Sequence, residues 1–280
     1  MVDQKITELD ELTTPVSTDL LPIVEDPGGT PKTEKITLEN LGLTNGWFPI
    51  TKTLVYATAD DPTFTFTIAA FDATTQLSPG MKIKLTNATV KYFIITKVVF
   101  DDPGSTITVY GGTDYNLVDA AITSPYYSVV KAPLGFPLDP SKWEVKVVIA
   151  TTANEATPTA STWYNIGTNT IDIPIGIWDV YYQAGAIRIT GTDQKMRLEV
   201  TLSTANNSES DVEYTAVLYG GGTGAGSYYL GGSLTNRFIL DLSTKDTYYF
   251  NQRVVDAGAE ELRCLWVEAR AVLKAVCAYL

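Results

Sequence analysis

The stretch Phe64 to Phe71, FTFTIAAF, alternates large apolar side chains with threonine. A period of two residues is the signature of a strand with one buried face. The same rhythm returns in GMKIKLT, Gly80 to Thr86, with Met81, Ile83 and Leu85 on one face and Lys82 and Lys84 on the other. KYFIITKVVF, Lys91 to Phe100, reads as a longer buried strand, and TITVYGG, Thr106 to Gly112, as the next. Turn chemistry separates them at Asp101-Asp102-Pro103-Gly104-Ser105. Short strands broken by turns every eight to twelve residues or so predict a small barrel or sandwich. NLVDAAI, Asn116 to Ile122, is expected to make one helical turn, and Pro133, Pro137 and Pro140 then mark a linker.

Beyond the linker the text is again strand. About nine candidates follow, among them WEVKVVIAT, WYNIG, TIDIPIGIWDVYYQAGAIRIT, MRLEVTLST, DTYYFNQRVV and AVLKAVCAYL. NNSESD, Asn206 to Asp211, and GGGTGAGS, Gly220 to Ser227, are loops. The glycine run lacks the closing Gly-Lys-Ser/Thr of a phosphate loop and leads into strand, so it reads as a hairpin loop. The expected class is all-β, with divisions at 1–45, 46–140 and 141–280. These are a short hairpin-helix segment, a small β barrel or sandwich, and a larger sandwich.

Residues 1–45 stand apart. A short apolar run, Leu20 to Val24, meets the turn Asp26-Pro27-Gly28-Gly29, and an arm from Lys32 to Lys35 leads into Ile-Thr-Leu-Glu-Asn-Leu. Thr37 is placed to cap a short helix that Gly42 would end. About forty residues cannot bury a core of their own. The expectation is a plug that orders on a larger partner, docking through Leu20, Leu21, Ile23, Val24, Ile36, Leu38 and Leu41. Packing against the rest of the same chain is the alternative.

Composition removes several classes of function. The formal net charge of −12 repels nucleic acid. There is no histidine, which takes away the commonest general base, metal ligand and physiological-pH switch. The two cysteines, Cys264 and Cys277, lack Cys-x-x-Cys spacing and sit in apolar text, so two buried free thiols are expected, with no zinc or redox site. No run approaches the roughly eighteen apolar residues of a membrane span, and the first residues carry no apolar core of a signal peptide. No cofactor or metal site is expected. The chain is expected to be made and kept in a cytoplasm.

The paired acids Asp60-Asp61, Asp101-Asp102 and Glu260-Glu261 are read as solvated, the first two in turns, with a weak calcium site as the alternative. Serine and threonine nucleophiles have no histidine partner, so a hydrolase triad is excluded in its usual form. The reading is a non-enzyme. Aromatic pairs are the stronger binding signal: Tyr126-Tyr127, Tyr181-Tyr182, Tyr228-Tyr229 and Tyr248-Tyr249 each place one ring on each face of a strand. Candidate receptor loops are Asn206 to Asp211, with Asn206, Asn207, Glu209 and Asp211, and Gly220 to Tyr229, with Tyr228 and Tyr229.

Two stretches carry a resemblance. Asp19-Leu20-Leu21-Pro22-Ile23-Val24, a glycine-rich turn and Lys35-Ile36-Thr37 resemble the N-terminal attachment motif of tailed-bacteriophage fibre proteins. IPIGIW, Ile173 to Trp178, with RLEVTLST, TKDTYYFNQRVV and the ending AVCAYL, resembles a complement- or tumour-necrosis-factor-like jelly roll. That resemblance implies a homotrimer whose final strand runs through the trimer centre, although LWVEARAVLKAVCAYL could also be buried within its own sandwich. Together the two imply a virion protein assembled in the host cytoplasm. It would be a short trimeric tail fibre or spike, mounted on other virion proteins through residues 1–45, that binds a host-surface glycan or protein without entering a membrane. The alternatives are a capsid decoration or head-fibre protein and, second, a capsule depolymerase.

Overall fold

The computed structural model describes residues 19–25, 32–38, 45–192, 196–220, 227–256, 259–264 and 270–280. Among them the strand pairs whose register is resolved are antiparallel and there is no α-helix; the only helical pieces are short 3-10 turns. The chain divides into two compact units. The first holds residues 1–58, 65–107 and 117–138, and the second holds 59–64, 108–116 and 139–280.

The first unit contains the hairpin of β1 (Leu20–Glu25) and β2 (Lys32–Thr37), a two-stranded sheet of its own. Its larger sheet is built on β3 (Phe48–Pro49), β4 (Val55–Asp60), β5 (Thr63–Ile68), β6 (Lys82–Asn87), β7 (Thr89–Asp101), β8 (Gly104–Tyr110) and β9 (Thr123–Ser128). The order is β3-β9-β6-β7-β8-β5-β4. The sheet is open, so the barrel alternative is excluded: β3 and β4 at its two ends do not pair. The FTFTIAAF alternation is seen directly, with Phe64, Phe66 and Ile68 buried. In β7 the consecutive residues Phe93, Ile94 and Ile95 are all fully buried, so both faces of the sheet are covered at its centre.

That double cover explains two departures from the sequence reading. Lys82 is only 4% exposed, because β6 lies inside the sheet between β9 and β7; its ammonium donates to the Gly80 carbonyl at 3.0 Å. Lys84 rests over the rings of Trp47 and Tyr126, at 5.1 and 4.4 Å. Asn116 to Ile122 makes no helical turn. The buried side chain of Asn87 takes over the hydrogen bonding instead. Its Oδ1 accepts from Val118 N at 3.1 Å, and its Nδ2 donates toward the carbonyls of Val118 and Ala120.

The second unit is a sandwich. Its first sheet runs β10 (Glu144–Ile149), β19 (Ala271–Cys277), β13 (Gly176–Thr192), β18 (Ala259–Arg263) and β11 (Asn154–Ala156), with β16 (Ser227–Leu242) on the other edge of β13. Its second sheet runs β12 (Thr170–Ile173), β17 (Asp246–Val254), β14 (Met196–Ser203) and β15 (Thr215–Gly220). The long run from Thr170 is thus two strands, broken at Pro174, whose missing N–H cannot serve a ladder. WYNIG is not a strand but an isolated bridge of Tyr164 to Gln252. β19 is not an edge: it lies between β10 and β13 with Ala271, Leu273, Ala275 and Cys277 buried.

The core forms between inward faces. Trp178, Val180, Tyr182 and Ala184 of β13 are fully buried, as are Leu198, Val200 and Leu202 of β14 and Phe250 of β17. Tyr182 joins the two sheets. Its ring meets Phe250 edge-on at 5.8 Å, and its hydroxyl lies 2.8 Å from the Val200 carbonyl and 2.9 Å from that of Tyr214. The same oxygen accepts from Ala216 N at 3.0 Å. Burial pushes this phenol well above its ordinary pKa, so it stays a donor. Replacing Tyr182 by phenylalanine leaves those groups without their partner in the core. Tyr182→Phe is expected to lower stability by about 1–3 kcal/mol with little change in far-ultraviolet circular dichroism, read by urea denaturation.

Candidate functional site

Three surfaces come from the readings above or from the fold itself. The first is the N-terminal hairpin. Its register pairs Leu20 with Thr37, Leu21 with Ile36 and Pro22 with Lys35, and Leu38 N closes it on the Asp19 carbonyl at 3.0 Å. Neighbouring residues of a strand point to opposite faces. Leu20 is 50% exposed and Leu21 40%, so β1 is open at this end, whereas Leu38, expected to dock on a partner, is instead covered within its own chain. Ile36 is half-buried and Leu38 buried. Ile23 and Val24 lie on β1 opposite Glu34 and Thr33, but their side chains, and the whole of Leu41, lie outside the described residues. Thr37 ends β2, and the short helix expected after it also lies outside them.

The second surface is the pair of candidate receptor loops. Most of the polar groups chosen there serve the loop itself. Asn207, at φ 54°, accepts from Asn165 N at 2.6 Å, and its own N–H donates to Asn251 Oδ1 at 3.3 Å. Buried Asn251 in turn donates to the carbonyls of Ala205 and Ser208. Glu209 accepts from Thr215 Oγ1 at 2.5 Å, and Asp211 caps the 3-10 turn Val212–Tyr214 through Glu213 N. Asn206 is exposed. Tyr228 and Tyr229 are not in a loop: they lie on β16, opposite Gly191 and Thr190 of β13, and their side chains are outside the described residues.

The third surface was not singled out from sequence. It is the outer face of the four-stranded sheet. Glu199 on β14 faces Arg253 across the ladder to β17 and Val217 across the ladder to β15. Two residues along, on the same face, Arg197 sits opposite Tyr219. The Glu199 carboxylate is only 1% exposed and is shared, one oxygen to Arg197 Nη2 and the other to Arg253 Nε. Arg253 covers the Trp163 ring at 4.4 Å, and Arg197 lies 5.6 Å from the centre of the Tyr219 ring. The result is one continuous strip: Trp163, Arg253, Glu199, Arg197, Tyr219. Glu209 Oε2 lies 3.9 Å from Arg253, and Asp256 accepts from the Arg197 backbone N–H at 2.7 Å. The alternation Met-Arg-Leu-Glu-Val-Thr-Leu gave the two faces of β14, but not the partners that gather around Glu199.

A cleft of about 240 Å³ opens between the end of β10 and the turn before β12, lined by Val148, Thr151, Ala153, Gly167 and Asn169. Behind it, Cys264 Sγ accepts from Ala153 N at 3.3 Å. Cys264 and Cys277 are buried and not joined in a disulfide, and burial raises the Cys264 pKa, so this thiol is held protonated. Among the described residues no group of three or more His, Cys, Asp or Glu could hold a metal ion. Of the paired acids, Asp60 accepts from Lys245 at 2.9 Å, and Glu261 is held by Asn154 and Arg263. No helix among the described residues is long and apolar enough to cross a membrane.

No known family's sequence profile matches the chain, and no curated protein matches it. Among solved structures it is similar to a chain described under the heading "Crystal structure of the T13 IBDV viral particle reveals a missing link in icosahedral viruses evolution". The TM-score is 0.27 at 10% identity, over 92% of this chain and 62% of that one. The chain therefore spans less than two thirds of that structure's length. A likeness of this size fixes neither a fold family nor an activity.

Two outcomes follow from these geometries. Glu199→Gln removes the charge that both arginines share. It is expected to destabilise the fold by about 1–3 kcal/mol in urea, moderated because the arginines are partly solvated. A thiol reagent is expected to label neither cysteine in the native protein and both after denaturation, read by mass spectrometry.

Proposed function

We propose that this chain is a structural protein of a virus particle of the tailed-bacteriophage kind. It mounts on other virion proteins through residues 1–45 and presents its C-terminal sandwich to the host surface. The observation that carries the reading is the hairpin's uncovered end. Leu20 and Leu21 are both exposed on a two-stranded sheet, and such a hairpin is marginal without a partner to cover it. Adjacent leucines left exposed on a short hairpin are what a docking plug requires. The phage-fibre resemblance of the same residues supports the same role.

The winding of the second unit supports the jelly-roll resemblance. Setting β11 and β18 aside, its eight strands in chain order place the first, eighth, third and sixth in one sheet and the second, seventh, fourth and fifth in the other. That order is the double Greek-key winding of a jelly roll. We read the assembly as a short homotrimeric fibre whose work is adhesion to a host-surface glycan or protein, without chemistry.

Purified particles, probed by antibody-labelled electron microscopy and quantitative mass spectrometry, test the reading. Label at the tail tip with few copies is expected; label spread over the head with tens of copies or more would make the chain a decoration or head-fibre protein. Absence from particles would overturn the virion reading altogether. The Leu20→Asp, Leu21→Asp double variant is expected to drop at least about tenfold in particle copy number while keeping the wild-type melting temperature. Native mass spectrometry is expected to give three chains, and a mass of one chain would remove the trimer.

A further inference from the structure

We propose that the strip on the outer face of the four-stranded sheet is a binding platform for a neutral hexose unit of a glycan, with Tyr219 as its stacking surface and Arg197 as its hydroxyl donor. The inference rests on the adhesion reading for its setting, but the site stands on its own geometry.

Tyr219 is 70% exposed, an unusual state for a large ring on a strand, and it lies on β15 at the edge of the sheet. Val217, on the same face of that strand, is 38% exposed and extends the apolar surface. A sugar ring presents a face of C–H groups that packs on such a surface, while its rim of hydroxyls needs fixed donors and acceptors. Arg197 lies over the Tyr219 ring, 5.6 Å from its centre, and supplies donors beside the part of the ring left in solvent. Its guanidinium is held on one side by the buried Glu199 carboxylate, and 38% of the side chain is left in solvent. Such a guanidinium loses little further freedom on binding, which favours affinity. Glu199 is anchored from the other side by Arg253, and Arg253 by its stacking on Trp163. The Arg253 and Glu199 part of the strip is therefore held in place from both sides.

Charge selects the class of sugar. Within the strip two arginines face one carboxylate. Glu209 and Asp256 flank it, and the chain as a whole carries −12. The local excess of cation is thereby cancelled. An acidic sugar would approach a negative surface on which the described cations, Arg197 and Arg253, are already paired with Glu199, whereas a neutral sugar meets no such barrier.

The test uses the full chain with maltotriose, lactose and chitotriose as neutral probes, and sialyllactose and a trimer of galacturonic acid as acidic ones. Saturation-transfer nuclear magnetic resonance and tyrosine fluorescence titration read the binding. At least one neutral probe is expected to bind and neither acidic one. Tyr219→Ala is expected to weaken binding at least about tenfold, Tyr219→Trp to retain it, and Arg197→Lys to weaken it by about three- to tenfold, since a lysine cannot reproduce the planar fork. Circular dichroism and melting of each variant separate lost binding from lost fold, and Tyr219 is exposed enough that its removal leaves the core intact. Binding of acidic probes alone, binding unchanged by Tyr219→Ala, or binding of no probe would each overturn the platform. Adsorption of labelled protein to host cells separates the two readings. If no probe binds but wild type and Tyr219→Ala both adsorb, the platform is wrong and adhesion stands. If the sugar binds but wild type does not adsorb, the platform stands and adhesion falls.

Discussion

The second unit depends on one buried hydroxyl. Tyr182 reaches from the middle of β13 to backbone groups of β14, β15 and the turn before it, and its ring fills the gap beside Phe250. A sandwich core is non-directional: apolar residues of similar volume would fill it in several registers. A hydroxyl that must meet particular carbonyls and a particular amide accepts only one. With Tyr182 in place, β14 and β15 are set in register against β13, and the residues of their far face are set with them. The Arg197–Glu199–Arg253 strip is that far face, so its arrangement on the outside follows from a contact on the inside.

A second constraint is the treatment of charge. A carboxylate as buried as Glu199 would be costly alone. Here two guanidiniums meet it, each partly solvated and each resting on an aromatic ring. The loop from Ala205 to Asp211 spends its polar groups in the same economical way, on Asn251, Thr215 and the turn after it. Asn207, which in the sequence looks like part of a recognition loop, thus holds the loop itself, while Asn206 is exposed. An exposed aromatic residue of this unit, Tyr219, lies instead on an edge strand.

Much of the fold was legible because strand alternation is a local signal. Phe64, Phe66 and Ile68, or Leu198, Val200 and Leu202, announce their buried face without reference to anything else. The readings that failed needed knowledge of what lies across the sheet. Lys82 is hidden because β6 has a neighbour on each side and cover on each face, which its own heptapeptide does not encode. Asn116 to Ile122 has the composition of a helical turn, but Asn87, about thirty residues earlier, supplies its hydrogen bonds. The strip of Tyr219 draws its members from β14, β15, β17 and the segment holding Trp163. No window of sequence contains it. The exposed leucines were easier, since Leu20 and Leu21 stand out in a segment too short to hide them, though Leu38 is buried.

β13 is served on one edge by two different strands. β19 pairs with Trp178 to Gln183, and β18 with Arg188 to Gly191, with a register shift between Ala184 and Ile187 on the side facing β16. The strand is therefore continuous in chain but divided in its support. Amide exchange along it would fall into two blocks, each opening with its own neighbour. Strain applied at the far ends of β13 and β16 would be relieved at the irregularity before it reached Trp178 and Tyr182, as a seam lets one panel of cloth give while the next stays flat.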